Sequence, residues 1–316
     1  MHALSIAIRK GVRGVVVAAA LLAITSTVEA QTKLRWKFTP GEKVNYEMVM
    51  ENVMEMNVGD KPLSSKTSQR IQTTWLVKEV AADGTAELTQ TIDRIIMETS
   101  PPGVDATPVK YDSRNKEQDP GAAMFSPLFD AMLNQSFTMK VTPLGEVKDM
   151  QLPPALLEAM KKLGSPAMAS IFSEDSLKQM MGRSMFTFPP ELTKGQAWEA
   201  ILELPNPILG KQIVTTNYVY AGPQQHDGRD VEKIDVSMEM KFDASPDAKV
   251  KVDITEQSGE GAIYFDNNQG LPQETNLTNK VTMAMAVGKQ LFDQKLTTQV
   301  TMKQIVPDAK EAGDKE

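Results

Sequence analysis

The fold of this chain is decided by residues 44–58, which read VNYEMVMENVMEMNV. Apolar side chains occupy nearly every second position, and most of the positions between them carry Glu or Asn. Successive side chains of a strand point to opposite faces, whereas a helix would spread these apolar residues around its circumference. The pattern predicts a long β-strand, whose buried face is formed by Val44, Tyr46, Met48, Met50, Asn52, Met54, Met56 and Val58.

The same alternation recurs along most of the chain. It is clearest at 232–242, where the apolar residues are Ile234, Val236, Met238, Met240 and Phe242. Weaker versions predict strands at 69–80, 85–97, 136–142, 196–204, 212–220, 249–256, 260–266, 275–287 and 290–306. Glycine marks turns at Asp83-Gly84, Leu144-Gly145, Asp227-Gly228, Gln269-Gly270 and Gly288-Lys289. Because nearly all links are short, we expect antiparallel pairing.

Helical patterns are confined to the middle of the chain. Candidate helices begin at Ser126-Pro127, run from 154 to 163, and run from 173 to 182. A proline-rich stretch at 99–121 predicts a loop, and the charged tail at 307–316 predicts disorder. The expected organisation is one β-rich domain over 31–306, in which a helical segment, 153–182, joins similar halves at 31–150 and 185–306.

The length of the strands indicates the fold class. A strand of 15 residues is about 50 Å long and must coil strongly, which favours a large curved sheet. We expect a mainly β fold, a large curved antiparallel sheet or half-open barrel of about 11–12 long strands, with the short central helices as a lid. A β-sandwich or two stacked sheets would also satisfy the pattern.

An internal duplication is suggested by three weak matches that occur in the same order in both halves. They pair 38–42 with 188–191, 73–75 with 215–218, and 137–147 with 263–277.

The first thirty residues have the three parts of a secretory signal peptide. Basic residues up to Arg13 precede an apolar run at 14–24, and a short polar segment ends at Ala30. That run is too short to span a bilayer as a helix, which takes about 20 residues. No later segment is apolar enough to do so. We predict cleavage between Ala30 and Gln31 and export to the periplasm or the medium.

Charge and composition argue against several classes of function. The net charge of −7 lacks the basic footprint that nucleic-acid binding needs. The chain has no cysteine, which excludes cysteine nucleophiles and disulfides. Beyond the leader, His226 is the sole histidine, and its setting beside Asp227-Gly228 predicts an exposed hairpin residue. Residues 266–270 lack the acidic spacing of a calcium loop and predict a turn.

Carboxylates are plentiful, but the strand pattern places many of them on solvated faces, as for Glu47, Glu51 and Glu55. No nucleophile elbow or phosphate-binding glycine loop is present in the sequence. We therefore expect a protein that is not an enzyme and that has no cofactor and no metal site.

A resemblance to known families is carried by the Phe-Thr-Pro-Gly-Glu opening at 38–42, the leader, the long alternating strands and the two-half layout. These features are similar to a family of exported bacterial proteins of unknown function. The fold resembles the curved-sheet lipoprotein-carrier family of the bacterial periplasm. The resemblance implies a half-barrel, with a lipid-sized cavity as an option, and it carries over no catalytic residues.

Methionine is the one unusual feature of the composition, with 20 residues in the chain. Many occur two apart on strands, so each pair shares a face. Three interpretations compete: an ordinary β core, a cavity for flexible apolar ligands, or thioether coordination of copper(I). Copper sites usually combine methionine with histidine in loops, which this pattern does not do.

The leading hypothesis is an exported, non-enzymatic protein that binds a lipid or another hydrophobic small molecule in a Met-rich concavity. The helices between 126 and 182 would form its lid. The predicted cavity residues are Met48, Met50, Trp75, Val236, Met238, Met240, Met283 and Met285. The alternative is a structural or protein-interaction module of the cell envelope with a solid core.

Overall fold

The computed structural model describes residues 31–58, 61–102, 107–115, 117, 119–161, 174, 178, 182, 185–206, 210–244, 250–287 and 290–306. Residues 31–316 form one compact unit, to which residues 1–30 do not belong. The predicted leader, the tail at 307–316, the turn at Gly288-Lys289 and most of the helix predicted at 173–182 lie outside the described residues.

The described residues form twelve strands and two α-helices. The strands are β1 (Lys43–Val58), β2 (Lys61–Val80), β3 (Ala86–Ser100), β4 (Val109–Asp112), β5 (Ser136–Val141), β6 (Val147–Gln151), β7 (Ala197–Asn206), β8 (Gly210–His226), β9 (Arg229–Asp243), β10 (Val250–Asp266), β11 (Leu271–Val287) and β12 (Gln290–Ile305). The helices are α1 (Ser126–Met132) and α2 (Pro154–Lys161). Two of the three predicted helices are thereby confirmed.

All the strands belong to one antiparallel sheet, which confirms the predicted fold class. Its order is β6-β5-β3-β2-β1-β12-β11-β10-β9-β8-β7, with β4 paired to β3. The sheet is not closed, because β6 and β7 are its two edges. The first and last strands meet in its centre, where Met48 lies opposite Met302.

Two elements differ from the sequence-based expectation. The strands predicted at 249–256 and 260–266 form one continuous strand, β10, with irregular register at Ile254/Glu256 and Tyr264/Phe265. A bulge shifts the alternation by one position, so the pattern looked like two separate strands. Strand β4 lies in the stretch predicted as a loop, because four residues are too few to display a period.

The tightest packing lies at one end of the sheet, which we name the proximal end, where β1 begins and β2 ends. There the ring of Trp36 lies 5.0 Å from that of Phe186 and 6.3 Å from that of Trp75. The Trp36 indole N–H donates to the Phe186 carbonyl (3.0 Å). The segments that precede β1 and β7 thus pack against each other over the sheet and close this end with buried aromatic rings.

Strands β1 and β7 are entered through equivalent turns. The Gly41 N–H donates to the Val77 carbonyl (2.8 Å), and the Gly195 N–H donates to the Tyr220 carbonyl (2.7 Å). Both glycines have φ of +84°, a conformation that favours glycine. The two turns read Thr-Pro-Gly-Glu and Thr-Lys-Gly-Gln.

This equivalence corrects one match in the suggested duplication. The sequence comparison paired 38–42 with 188–191, whereas the hydrogen bonds pair it with 192–196. The sequence match depended on an aromatic residue at the start of both segments, but the position equivalent to Phe38 is occupied by Leu192. The duplication itself stays a prediction.

Gly145 and Gly195 provide a matched test of the proximal packing. Both have positive φ, but a Cβ on Gly145 would collide with the Phe186 carbonyl oxygen and the Trp36 indole, whereas a Cβ on Gly195 meets nothing within 4 Å. We expect Gly145→Ala to lower the free energy of unfolding by about 3 kcal/mol, and Gly195→Ala to lower it by about 1 kcal/mol. Urea unfolding measures both, and equal losses would show that the contact is unimportant.

Candidate functional site

One face of the sheet, which we name the core face, is the side on which Val44 and Tyr46 are buried. Cross-strand register extends this face to the neighbouring strands. At the bulge in β10, after Ile254, the alternation skips one additional residue. With that exception, the core face comprises every second residue, counted from the first, of the ranges 44–56, 63–75, 198–204, 212–220, 234–242, 252–265, 275–285 and 292–304. None of these described positions holds Asp, Glu, Lys, Arg or His. The same alternation in β9 continues to Glu232 at the proximal end, which lies opposite Phe265 and accepts a hydrogen bond from the Tyr220 hydroxyl (2.5 Å).

Charged residues of the same strands lie on the opposite face, which we name the outer face. Ion pairs cross it between Arg70 and Glu47 (3.8 Å), and between Lys295 and Glu55 (3.9 Å). Such exposed pairs contribute little stability, on the order of 0–1 kcal/mol each. They nevertheless show that polarity is divided between the two faces of the sheet.

Burial changes along the core face. At the proximal end, the exposed fractions are 5% for Val44, 1% for Tyr46 and 4% for Trp75. Towards the distal end, where β1 ends and β2 begins, Met50 and Met54 on β1 are only half-buried, whereas Val281 and Met283 on β11 are buried. Contiguous apolar surface that stays in contact with solvent is unusual, and it commonly marks a binding groove. The distal half of the core face is therefore the candidate site.

All eight residues predicted to line a cavity lie on the core face, but they divide into separate groups. Trp75 packs between Tyr46 (4.9 Å between rings) and Trp36, inside the aromatic core, as a structural residue. Val236 also belongs to that core. The half-buried members are Met48, Met50, Met238 and Met285.

Met240 and Met283 form a second, smaller cluster with Val281. Met285 packs against it from the half-buried part of β11. Methionines of β9 and β11 therefore meet although they are far apart in the sequence.

Two cavities lie at opposite ends of the sheet. One, of about 640 Å³, lies between the edge strands β6 and β7, and its lining includes Met150, Met185, Phe186, Ala200 and Tyr218. The other, of about 580 Å³, lies at the distal rim and is lined mainly from the outer face, by residues that include Glu55, Asp293 and Lys295, with Met56, Leu63 and Gln294 from the core face. Both volumes suit a drug-sized or larger ligand. The eight predicted residues do not line either of them.

The sequence analysis did not find a row of polar residues that crosses the core face. Asn52 lies opposite Thr67 on β2 and Thr298 on β12. Thr67 lies opposite Thr99 on β3, and Thr298 lies opposite Asn279 on β11. The sequence shows Asn52 as an interruption in the methionine row of β1. Its alignment with polar residues of the other strands depends on the register between strands, which could not be predicted from the sequence.

His226 corrects another prediction. It lies at the β8–β9 hairpin as expected, but its side chain is only 22% exposed. Its ring stacks on Tyr264 with centroids 3.6 Å apart, and Nε2 lies 3.0 Å from Glu274 Oε2. The hairpin folds over the outer face of β10 and β11, so a residue at its tip becomes partly buried.

A cluster of possible metal ligands, His226, Asp227 and Glu274, forms at this point. However, Lys303 Nζ lies 2.8 Å from Glu274 Oε2 and supplies the positive charge that a cation would bring. Burial raises the pKa of Glu274, but hydrogen bonds from Lys303 and His226 outweigh it and hold this pKa below its ordinary value of 4.5. The cluster is an ion-pair network that fastens the hairpin to the sheet.

The chain is thus a mainly β protein built on one open antiparallel sheet with an uncharged inner surface. Residues 83–272 match the family described as a family of unknown function, DUF6263, and the chain belongs to that family. The predicted membership of a family of unknown function is confirmed. No curated protein matches the sequence. Among the described residues, no helix is long and apolar enough to cross a membrane.

Similarities to solved structures are distant. A lipovitellin structure, titled for its lipid–protein interactions, has a TM-score of 0.46 at 10% identity, covering 86% of this chain and 26% of that chain. This chain therefore corresponds to about a quarter of the lipovitellin chain. A DUF1329 family protein from Desulfovibrio piger has a TM-score of 0.15 at 11% identity, covering 85% and 90%.

A putative outer membrane lipoprotein-sorting protein domain from Vibrio parahaemolyticus has a TM-score of 0.14 at 11% identity, covering 86% and 89% of the two chains. Similarities this distant carry no information on ligand or activity.

The Glu274 network predicts a pH dependence of stability. A carboxylate whose pKa is lowered by folding stabilises the protein above its unfolded pKa, and this contribution disappears as the pH falls through the folded value. We expect the unfolding free energy of the wild type to fall below about pH 4.5, and Glu274→Gln to flatten part of that fall. Urea unfolding from pH 7 to pH 3 measures this. Glu260→Gln, at an exposed position on β10, is the control, and identical profiles for the two variants would contradict the prediction.

Proposed function

We propose that this protein is an exported, non-enzymatic binding protein that holds a lipid or another hydrophobic ligand on the distal half of the core face. The observation that carries the proposal is that the described positions of this half carry no charge and, along β2, β1 and β12, are only half-buried, whereas Val281 and Met283 on β11 are buried. Water in contact with such a surface is released when an apolar ligand covers it, at a gain of roughly 25 cal/mol per Å².

The side chains of the site suit a ligand of variable shape. Met48, Met50, Met54 and Met56 follow one another along the core face of β1. Methionine is unbranched and polarisable, so it can repack around different apolar chains.

The composition of the core face also supports a role without catalysis. The described positions of its distal half hold no carboxylate, lysine or histidine that could act as a general acid or base. Its threonine hydroxyls therefore lack the base that would activate a nucleophile.

Export is the part of the proposal that rests on the leader sequence. If residues 1–30 direct secretion, the protein recovered from an exporting host will begin at Gln31. Intact-mass measurement of the secreted protein tests this, and a chain that retains Met1 would contradict it.

Neighbouring positions of β1 offer a sharp test of binding. Met54 is half-buried on the core face, and Val53 is half-buried on the outer face. We expect Met54→Glu to weaken the binding of a lipid probe such as dioleoylglycerol by roughly tenfold or more, because a desolvated carboxylate is costly there. Val53→Glu should bind within about twofold of the wild type, since its carboxylate faces water. Native mass spectrometry of the full chain measures both.

Circular dichroism and urea unfolding establish that the two variants are folded. A neutral truncation, Met50→Ala with Met54→Ala, provides a variant without a buried charge and should also lose affinity. Equal binding by all variants would contradict the proposed site. A wild-type protein that takes up no lipid would leave the alternative of an envelope module with a solid core, which the packed aromatic rings at the proximal end favour.

A further inference from the structure

The polar row on the core face has the geometry of a recognition element, and we name it the polar band. Its members are Thr99, Thr67, Asn52, Thr298 and Asn279, on the adjacent strands β3, β2, β1, β12 and β11. All of them are half-buried. They form a continuous uncharged polar strip across the core face, with apolar residues directly beside it on β1, β12 and β11.

Hydrogen bonds within the polar band leave donors free. The Thr67 and Thr99 hydroxyl oxygens lie 2.8 Å apart, and the Thr298 hydroxyl donates to Asn52 Oδ1 (2.7 Å). Asn52 Nδ2 then keeps two N–H groups, and the amide of Asn279 keeps two more, with no acceptor among the described residues. The band therefore offers uncharged N–H donors to a ligand that has acceptor oxygens.

Apolar rows flank the polar band on both sides. Towards the proximal end lie Met50, Val300 and Leu277, and towards the distal end lie Met54, Leu296 and Val281. Along β1 the apolar positions extend about four residues from the band on each side, or about 13 Å, whereas the positions beside the band on β2 are Gln69 and Ser65. A ligand that fits this surface has its polar group between two apolar parts.

Further polar atoms without partners lie on the core face. The indole N–H of Trp75, Oε1 of Gln90 and the hydroxyl of Thr275 are buried and have no hydrogen-bond partner among the residues that the structure describes. Thr275 lies on β11, four residues from Asn279. Buried polar atoms are usually satisfied. Trp75 lies in the packed aromatic core and Gln90 lies opposite it on β3, so the free donors that a ligand on the distal face can reach are those of the polar band.

We infer that the ligand is an uncharged, ester-linked lipid whose carbonyl oxygens accept hydrogen bonds from the polar band while its acyl chains cover the methionine rows. This inference rests on the proposed function and specifies the chemical class of its ligand. A free fatty acid or an anionic phospholipid fits less well, because no cationic side chain on the described core face offsets the desolvation of a carboxylate or phosphate.

Three probes of matched chain length separate these ligand classes: 1,2-dioleoylglycerol, oleate at pH 8, and octadecane. Binding to the full chain is titrated by native mass spectrometry. We expect the wild type to prefer dioleoylglycerol to oleate by roughly tenfold or more. The double variant Asn52→Leu with Asn279→Leu should lose roughly tenfold of its affinity for dioleoylglycerol and keep its affinity for octadecane.

The control is Thr278→Leu, which changes the residue next to Asn279 on the outer face. It should bind all three probes as the wild type does. If the double variant binds dioleoylglycerol as tightly as the wild type, or if oleate binds more tightly than dioleoylglycerol, the inference is overturned while the proposed function stands. If none of the probes binds the wild type, the proposed function itself fails.

Discussion

The pairing of β1 with β12 is the constraint on which the rest of the structure depends. These are the first and last strands of the sheet in sequence, and they form an uninterrupted antiparallel ladder from Asn45↔Ile305 to Asn57↔Asp293. Without this ladder the chain would form two smaller sheets, each with an additional free edge. Since a slip of one residue would exchange the faces of a strand, this register also aligns the apolar positions of both halves on one side.

The division of polarity between the two faces follows from that register. The segments that precede β1 and β7 both arrive at the proximal end, where Trp36 and Phe186 cover the core face. Among the described segments, none contacts the distal part of the face closely enough to bury Met50 or Met54 fully. The same connectivity that packs one end of the sheet thus leaves an apolar surface half-exposed at the other end.

Much of the fold could be predicted because alternation is a local property of the chain. Long strands such as β1 and β9 repeat the period often enough to be recognised, whereas the four residues of β4 do not, and the bulge in β10 interrupts the period. The environment of His226 could not be predicted either. Its burial comes from Tyr264 and Glu274, which are more than 35 residues away and meet the hairpin only in the folded sheet.

The sequence by itself determined which residues form strands, which side of each strand is apolar, and that the methionines of a pair share a face. Only the tertiary structure decided which strands are neighbours. It therefore decided that Trp75 belongs to the packed core, that Met240 meets Met283, and that Asn52 continues into a polar band. The physical reason is that side-chain direction follows from the local backbone, whereas register between distant strands is set by turns, bulges and the pairing of the whole sheet.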